Sequence, residues 1–281
     1  MLTALISTAT AVFFGGSDFL GGLASRRGSA LSVTAVVFGI GVAVFAVVLV
    51  FVRPAAFSSA DFGWAVVSGI VGTIGVLSLY AALAAGRMGI VAPVTAALAG
   101  AGPAAFDLIR GSRVGVAPLV GLALAIAAVV VVSTVSDPED EHSTPLRAVM
   151  LAVLAGAGFG CSLIALSFTS HASGLAPLLV ARCTGALILG VALVSRGSGG
   201  RALDRSALAP ALLAGVLDAA ANFTMLTALR IGPMAVASVI GSLYPVTTIL
   251  LARTVLKERL HRQQIVGVGL ALAAVVLTAL P

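Results

Sequence analysis

Apolar residues in this chain neither alternate with polar ones nor stripe a single helix face. They run on for long stretches, broken by arginines, Gly-Pro pairs, serines and one acidic turn. Cut at those breaks, the chain predicts ten apolar segments, at 2–24, 31–52, 62–85, 88–109, 114–135, 148–169, 175–195, 208–229, 233–252 and 264–280. Each is close to the roughly 20 residues that a helix needs to cross a bilayer. Continuous runs exclude barrel strands, whose lipid-facing and lumen-facing residues alternate, and a helix satisfies its own backbone hydrogen bonds in hydrocarbon. No Lys or Arg precedes Arg26, and nine further runs follow the first. The first run is therefore expected to stay as a span rather than to leave as a signal peptide.

The segments repeat. Ala82, Leu83, Gly86, Met88, Arg113, Gly121, Leu124 and Ala125 recur 146 residues later as Ala228, Leu229, Gly232, Met234, Arg259, Gly267, Leu270 and Ala271. A self-similarity of this kind marks a duplicated unit. The strongly polar loop Asp137-Pro-Glu-Asp-Glu-His-Ser-Thr-Pro145 falls at the midpoint, between five spans and five. The expected organisation is a first repeat at 1–136, a linker at 137–145 and a second repeat at 146–281. An odd number of spans per repeat brings the second copy into the membrane from the opposite face. The fold class expected is thus an all-α membrane protein, ten transmembrane helices in two inverted five-helix repeats, with any site near the midplane between them.

Composition agrees with the pattern and removes other classes. Hydrophobic residues make up 60% and charged residues 9% of 281 positions, and mean hydropathy is +1.17. The net charge of +6 is spread between apolar runs and aromatic residues are sparse, so it reads as a topology signal and not as a nucleic-acid surface. Cys161 and Cys183 lie inside apolar runs, which argues for small packing residues rather than a disulfide or a metal knuckle. Glycines inside the runs let helix backbones approach where no hydrophobic effect drives association. Pro93, Pro103, Pro177 and Pro245 each remove a backbone donor, and kinks in the fourth and ninth spans would suit a cavity.

Certain short motifs carry a family resemblance. Ala228-Leu-Arg-Ile-Gly-Pro233, Ser242-Leu-Tyr-Pro245, Lys257-Glu-Arg-Leu260 and the Gly267-rich last run resemble the second-repeat signature of the drug/metabolite transporter superfamily, in particular its EamA-type members. Phe14-Gly-Gly-Ser-Asp-Phe19, Val91-Ala-Pro-Val94 and Gly111-Ser-Arg113 stand in the matching places of the first copy. Where that family carries Gly-Glu-Arg, Ser112 replaces the glutamate in one copy and Lys257 the glycine in the other. The resemblance implies two five-helix repeats and export of amino acids, nucleosides, metabolites or drugs.

Charges within spans cost about 2.5 to 3.5 kcal/mol each on insertion scales and so demand a reason. Asp18, Arg182 and Asp218 are the clear cases. With a rise of 1.5 Å per residue and spans of alternating direction, Arg182 and Asp218 should differ in depth by only roughly 5 Å, close enough for an ion pair. Asp18 should sit roughly 10 Å from Arg182 in depth, toward the other face. Asp218 and Asn222, four apart, share a helix face and form either a polar patch lining a cavity or an internal polar cluster that orders the bundle. Gly15, Gly16 and Ser17 leave room beside Asp18 for water or a ligand amine; a structural tie to Arg26 or Arg27 is the competing explanation. Tyr244, next to Pro245, is either an aromatic wall or ordinary packing. The candidate substrate and coupling-ion residues are thus Asp18, Asp218, Asn222, Arg182, Ser17 and Tyr244. Asp107 and Arg110 read as an interfacial pair, His171 as solvated, and Trp64 as an interfacial anchor.

The function expected is a secondary transporter, with no cofactor and no metal, for a small-molecule substrate in a lipid bilayer, as a monomer or homodimer in the cell's inner membrane. The rival classes are an integral-membrane enzyme on a lipid-linked substrate, which would need clustered acids or a nucleophile with its base, and a channel or scramblase. No Gly-Lys-Ser/Thr nucleotide loop occurs. Eleven basic residues fall in loops on the side away from the N-terminus and four on the N-terminal side, which by the positive-inside rule puts both termini outside the cytoplasm. The family resemblance implies both inside.

Overall fold

The computed structural model describes residues 2–111, 115–134, 144–195, 203–231, 240–258 and 262–278. Apart from one short 3₁₀ turn at His171–Ser173, the regular elements among them are ten α-helices. These are α1 (Leu2–Arg27), α2 (Ala30–Phe51), α3 (Ser59–Ala85), α4 (Met88–Ile109), α5 (Val116–Thr134), α6 (Leu146–Ser167), α7 (Ala176–Ser195), α8 (Arg205–Ile231), α9 (Tyr244–Val255) and α10 (Arg262–Thr278). Six of them, α1, α2, α3, α6, α7 and α8, are long and apolar enough to cross a membrane. The apolar stretches of α4, α5 and α10 are shorter. The polar linker lies almost wholly outside the described residues, as do the start of the expected ninth span and the side chain of Asp107.

The prolines depart from expectation in two places. Pro177 and Pro245 sit in the first turns of α7 and α9, where the missing N–H would have had no intrahelical partner, so neither kinks a helix. The ninth span accordingly restarts at Tyr244 after a turn, instead of bending through it. Pro93 and Pro103 are inside α4 as expected, and Pro210 lies inside α8.

Long apolar side chains such as Val50, Phe51, Ile109, Leu187 and Val194 point outward, an apolar belt that suits lipid. Inside, small residues set the packing. α6 presents glycines to two neighbours: a Cβ on Gly158 would stand 2.8 Å from Gly75 Cα of α3, and one on Gly160 would stand 3.3 Å from Gly102 Cα of α4. Hydroxyls stitch the same seams, with Ser68 and Ser162 Oγ atoms 2.7 Å apart and Thr95 Oγ1 donating to Ala152 O at 3.2 Å. α1 lies on α8 in the same manner, through Thr10 and Thr224 hydroxyls 2.9 Å apart and Gly16 beside Leu217. An alanine-rich seam joins α4, α5 and α10 at Ala97, Ala101, Ala125, Ala128, Ala271 and Ala274.

The two ends of the bundle are built differently. At the end where α1 begins, Ser58 caps α3 in a reciprocal pair with Asp61, and Asp61 also accepts from Ser170 N at 2.6 Å and Ser170 Oγ at 3.2 Å. Ala55 and Ala56 donate to Ala172 O, and Trp64 stacks on Phe168 at 4.5 Å. Trp64 therefore belongs to an aromatic group at this end, with Arg110 over the rings of Phe106 and Phe168. At the other end the main core, with Phe19, Leu79, Tyr80, Leu83, Met88 and Ile90, fills the space between α1, α3 and α4.

Gly158→Ala should lower the melting temperature in detergent, because its Cβ would meet only backbone: Gly75 Cα and N, and Val71 O. The overpacking cost expected is about 1–3 kcal/mol. Gly39→Ala, with open space around its Cβ, should leave melting unchanged. Equal effects of the two substitutions would refute the close-approach account.

Candidate functional site

Helices α1, α2, α3, α4, α6, α7, α8, α9 and α10 all contribute to a cavity of about 400 Å³. Its walls are largely apolar and aromatic, from Phe14, Phe38, Phe159, Tyr80 and Tyr244, with hydroxyls of Ser68, Ser162 and Thr278 set among them. Asp18, Arg182, Asp218 and Asn222 also line it. Residues far apart in sequence thus converge because the glycine seams bring their helices together.

Arg182 on α7 and Asp218 on α8 form the ion pair that depth alone suggested, Nη2 to Oδ2 at 2.6 Å. Both helices pack on α2, and the pair bridges them above its Phe38, whose ring centroid is 4.7 Å from the guanidinium carbon. Gly41 of α2 makes room for the arginine stem, since a Cβ there would press on Arg182 Cδ at 3.2 Å. The two side chains keep only 13% and 14% exposure. Charge balance in a low-dielectric surrounding is the reason to hold them together.

Asp18 differs. Among the described residues no hydrogen bond or ion pair reaches its carboxylate, and neither Arg26 nor Arg27 is turned to it: Arg26 binds Leu83 O, Gly86 O and Glu258, and Arg27 binds Ser206 O. The charge whose field reaches it is that of Asp218. Two carboxylates and one guanidinium leave the group of cavity charges with one net negative charge when all three are ionised.

The remaining candidates separate. Asn222 lines the cavity, yet its amide donates to Asp218 O of its own helix at 2.7 Å and not to the Asp218 carboxylate. Tyr244 lines the wall as an aromatic surface, its ring 5.9 Å from that of Phe14, in the field of Asp18. Ser17 is not part of the lining. It is 2% exposed and donates to Ala214 O at 2.9 Å, so it fastens α1 to α8 behind the cavity. Neighbourhood in sequence had placed it beside Asp18, but adjacent helix positions are about 100° apart and face different partners.

Tyr80 is the residue that the sequence alone did not single out. It is 2% exposed, lies within the fields of Asp18, Asp218 and Arg182, and forms the cavity floor. Gly21 of α1 is flush against its ring, leaving no space for a side chain. A tyrosine one turn from a run of leucines and alanines carries no local signal; its meaning comes from the facing glycine.

The lining is also one-sided along the helices. It reaches the helix ends Leu166, Leu178 and Thr278 on the face where α1 begins, and it stops at Asp18 and Tyr80 in the other direction.

Residues 146–280 match the model of the EamA-like transporter family. One solved structure, described only as the crystal structure of a protein, covers 98% of this chain and 96% of its own, with a TM-score of 0.63 at 16% identity. At that identity the likeness shows a shared fold along the whole chain and nothing about activity. No curated protein matches.

Arg182→Ala and Asp218→Ala should each lower folded yield and melting temperature, since one charge is then left buried without its partner, at roughly 3 to 5 kcal/mol. The double substitution should recover most of that loss. Losses that add in the double variant would show that the two side chains are energetically independent.

Proposed function

We propose that this chain, whose residues 146–280 belong to the EamA-like transporter family of the drug/metabolite transporter superfamily, is a secondary carrier working by alternating access. Its substrate is a small metabolite, amino acid or drug-like compound, and net movement is export. The observation that carries this reading is a cavity set among apolar helices, lined by Asp18, Arg182 and Asp218, whose lining reaches helix ends on one face only. A water-filled pore would run through to both faces; a pocket with one mouth fits a carrier in one of its two states.

The organisation supports the same reading. Helix boundaries recur at a spacing of 146 residues: Ala30 and Ala176, Ser59 and Arg205, Ala85 and Ile231, Ile109 and Val255, Val116 and Arg262. Packing recurs too, for α1 lies on α8 as α3 lies on α6, and α2 meets α8 as α3 meets α7. Those relations are what two inverted five-helix repeats, 1–136 and 146–281, would generate, with α4, α5, α9 and α10 also crossing the membrane. Two like halves that can rock against each other around a shared site provide both states without a second fold. The rival of a membrane enzyme on a lipid-linked substrate draws no support from a family of transporters.

In this carrier Asp18 is the ligand-binding or coupling carboxylate. Arg182 and Asp218 neutralise each other, so the uncompensated negative charge falls on Asp18. Aromatic faces at Phe14 and Tyr244 suit the apolar body or the cationic group of an amine. A proton and a cationic substrate competing for one carboxylate would give antiport with no added machinery. The membrane is the cell's inner membrane, and by the count of loop arginines and lysines both termini face away from the cytoplasm.

Asp18→Asn keeps size and most hydrogen-bonding capacity while removing titration. Expression and melting should stay normal, uptake driven by a pH gradient should be abolished in proteoliposomes, and substrate exchange should persist. Wild-type pH-driven flux in a well-folded Asp18→Asn protein would reduce the residue to a structural role. A C-terminal tag should react with impermeant reagents in intact cells; reaction only after permeabilisation would reverse the orientation.

A further inference from the structure

The end of the bundle opposite the cavity mouth is held by a charged clasp. Arg26, at the last turn of α1, donates to Leu83 O at 3.2 Å and Gly86 O at 2.9 Å, the free carbonyls at the end of α3, and to Glu258 Oε1 at 3.1 Å. Glu258 in turn accepts from Met88 N at 3.2 Å and Gly89 N at 3.1 Å, the free donors at the start of α4. One arginine and one glutamate therefore complement two helix ends of opposite polarity, a cation on carbonyls and an anion on amides, while binding each other. The glutamate is delivered by Lys257, whose φ of +54° is in the left-handed region. Gly111, 146 residues earlier, takes φ +78° without a side chain to strain.

We infer that this Arg26–Glu258 clasp sets the resting state of the protein, holding the cavity shut on the face where α1 ends and so leaving it open on the face where α1 begins. The argument is its one-sidedness among the described residues. At the positions 146 residues from Arg26 and Glu258 the sequence has Ala172 and Ser112, neither of which can supply the charge. Duplicated halves would close equally well at both ends if packing were all that mattered; a clasp on one end removes the degeneracy. A closed state also has a cost here, because Ser25 Oγ beside the clasp is buried with no hydrogen-bond partner among the described residues. Opening that end to water would relieve it, so the clasp must be present for the closed form to dominate.

The inference rests on the two-state reading for its meaning, but its test needs no transport. With Cys161 and Cys183 replaced by serine, a reporter at Val76→Cys, a position of α3 in the cavity lining, is treated with an impermeant maleimide in membrane vesicles of each orientation, without substrate. The parent should label from the face bearing the start of α1 and slowly from the other. Glu258→Gln keeps an acceptor for the α4 amides and loses the charge. It should raise labelling from the second face by about fivefold, the scale of one partly exposed charge-assisted contact. The parent protein in about 1 M salt, where screening acts over roughly 3 Å, should move the same way. An unchanged two-face ratio in folded Glu258→Gln overturns the inference; should that variant fail to fold, an unchanged ratio of the parent in high salt does so. Absence of exchange activity together with the predicted shift would sink the carrier reading and leave the clasp standing.

Discussion

Hydrocarbon offers an ionised side chain nothing, so each charge inside the helices must be answered by another charge, by backbone dipoles or by water. The Arg182–Asp218 pair is the answer around which the middle of this molecule is arranged. To form it, α7 and α8 must both lie against α2, the guanidinium must find the face of Phe38, and Gly41 must lack a side chain. Three helices are registered by one interaction, and the cavity wall they make follows from it. The same logic sets Asp18 apart, since the cation that could have answered it is already committed.

Glycine has the complementary role. Apolar burial cannot discriminate a helix neighbour from a lipid tail, so association depends on contact distance and on hydrogen bonds that only close backbones allow. At Gly75 and Gly158 two glycines meet; at Gly102 and Gly160 two more. Beside these seams the hydroxyls of Ser68, Ser162 and Thr95 reach across the gap. Rigid seams and a hollow beside them are two results of one arrangement, for Phe159 packs on Gly75 at the seam and also lines the cavity.

Much of this was legible in the residues. Continuous apolar runs told of spans, because lipid constrains every position of a crossing helix, and the positions of Arg182 and Asp218 along oppositely directed spans told of their pairing through nothing more than helical rise. What was not legible depended on rotation and on distant partners. Depth can be counted from a helix end, but the face a side chain takes is set by a partner on another helix, 197 positions away for Ser17 and on α1 for Tyr80, so sequence neighbourhood puts Ser17 at the cavity and gives Tyr80 no mark. Pro245 misled for a related reason: a proline within an apolar run reads as a kink until the chain is seen to begin a new helix there. The sequence offers Arg26 only as a possible tie to Asp18, yet it makes three interactions with α3, its end and Glu258.

A carrier of two inverted repeats, the organisation proposed above, faces a problem that its symmetry creates. If both halves are alike, the state open to one side and the state open to the other are close in energy, and neither is preferred. Sequence divergence between the copies is then where preference must lie, and the turn following the fourth and ninth helices is a place to look. One copy keeps glycine in the left-handed position and places a serine after it. The other accepts roughly 1–2 kcal/mol of backbone strain at Lys257 and gains Glu258, an acid that serves two amides and an arginine at once. Strain retained at such a turn has to be offset by something in the folded state, and the contacts of Glu258 are the ones the turn delivers. The departure from repeat symmetry thus lies at the end of the bundle toward which the cavity lining stops.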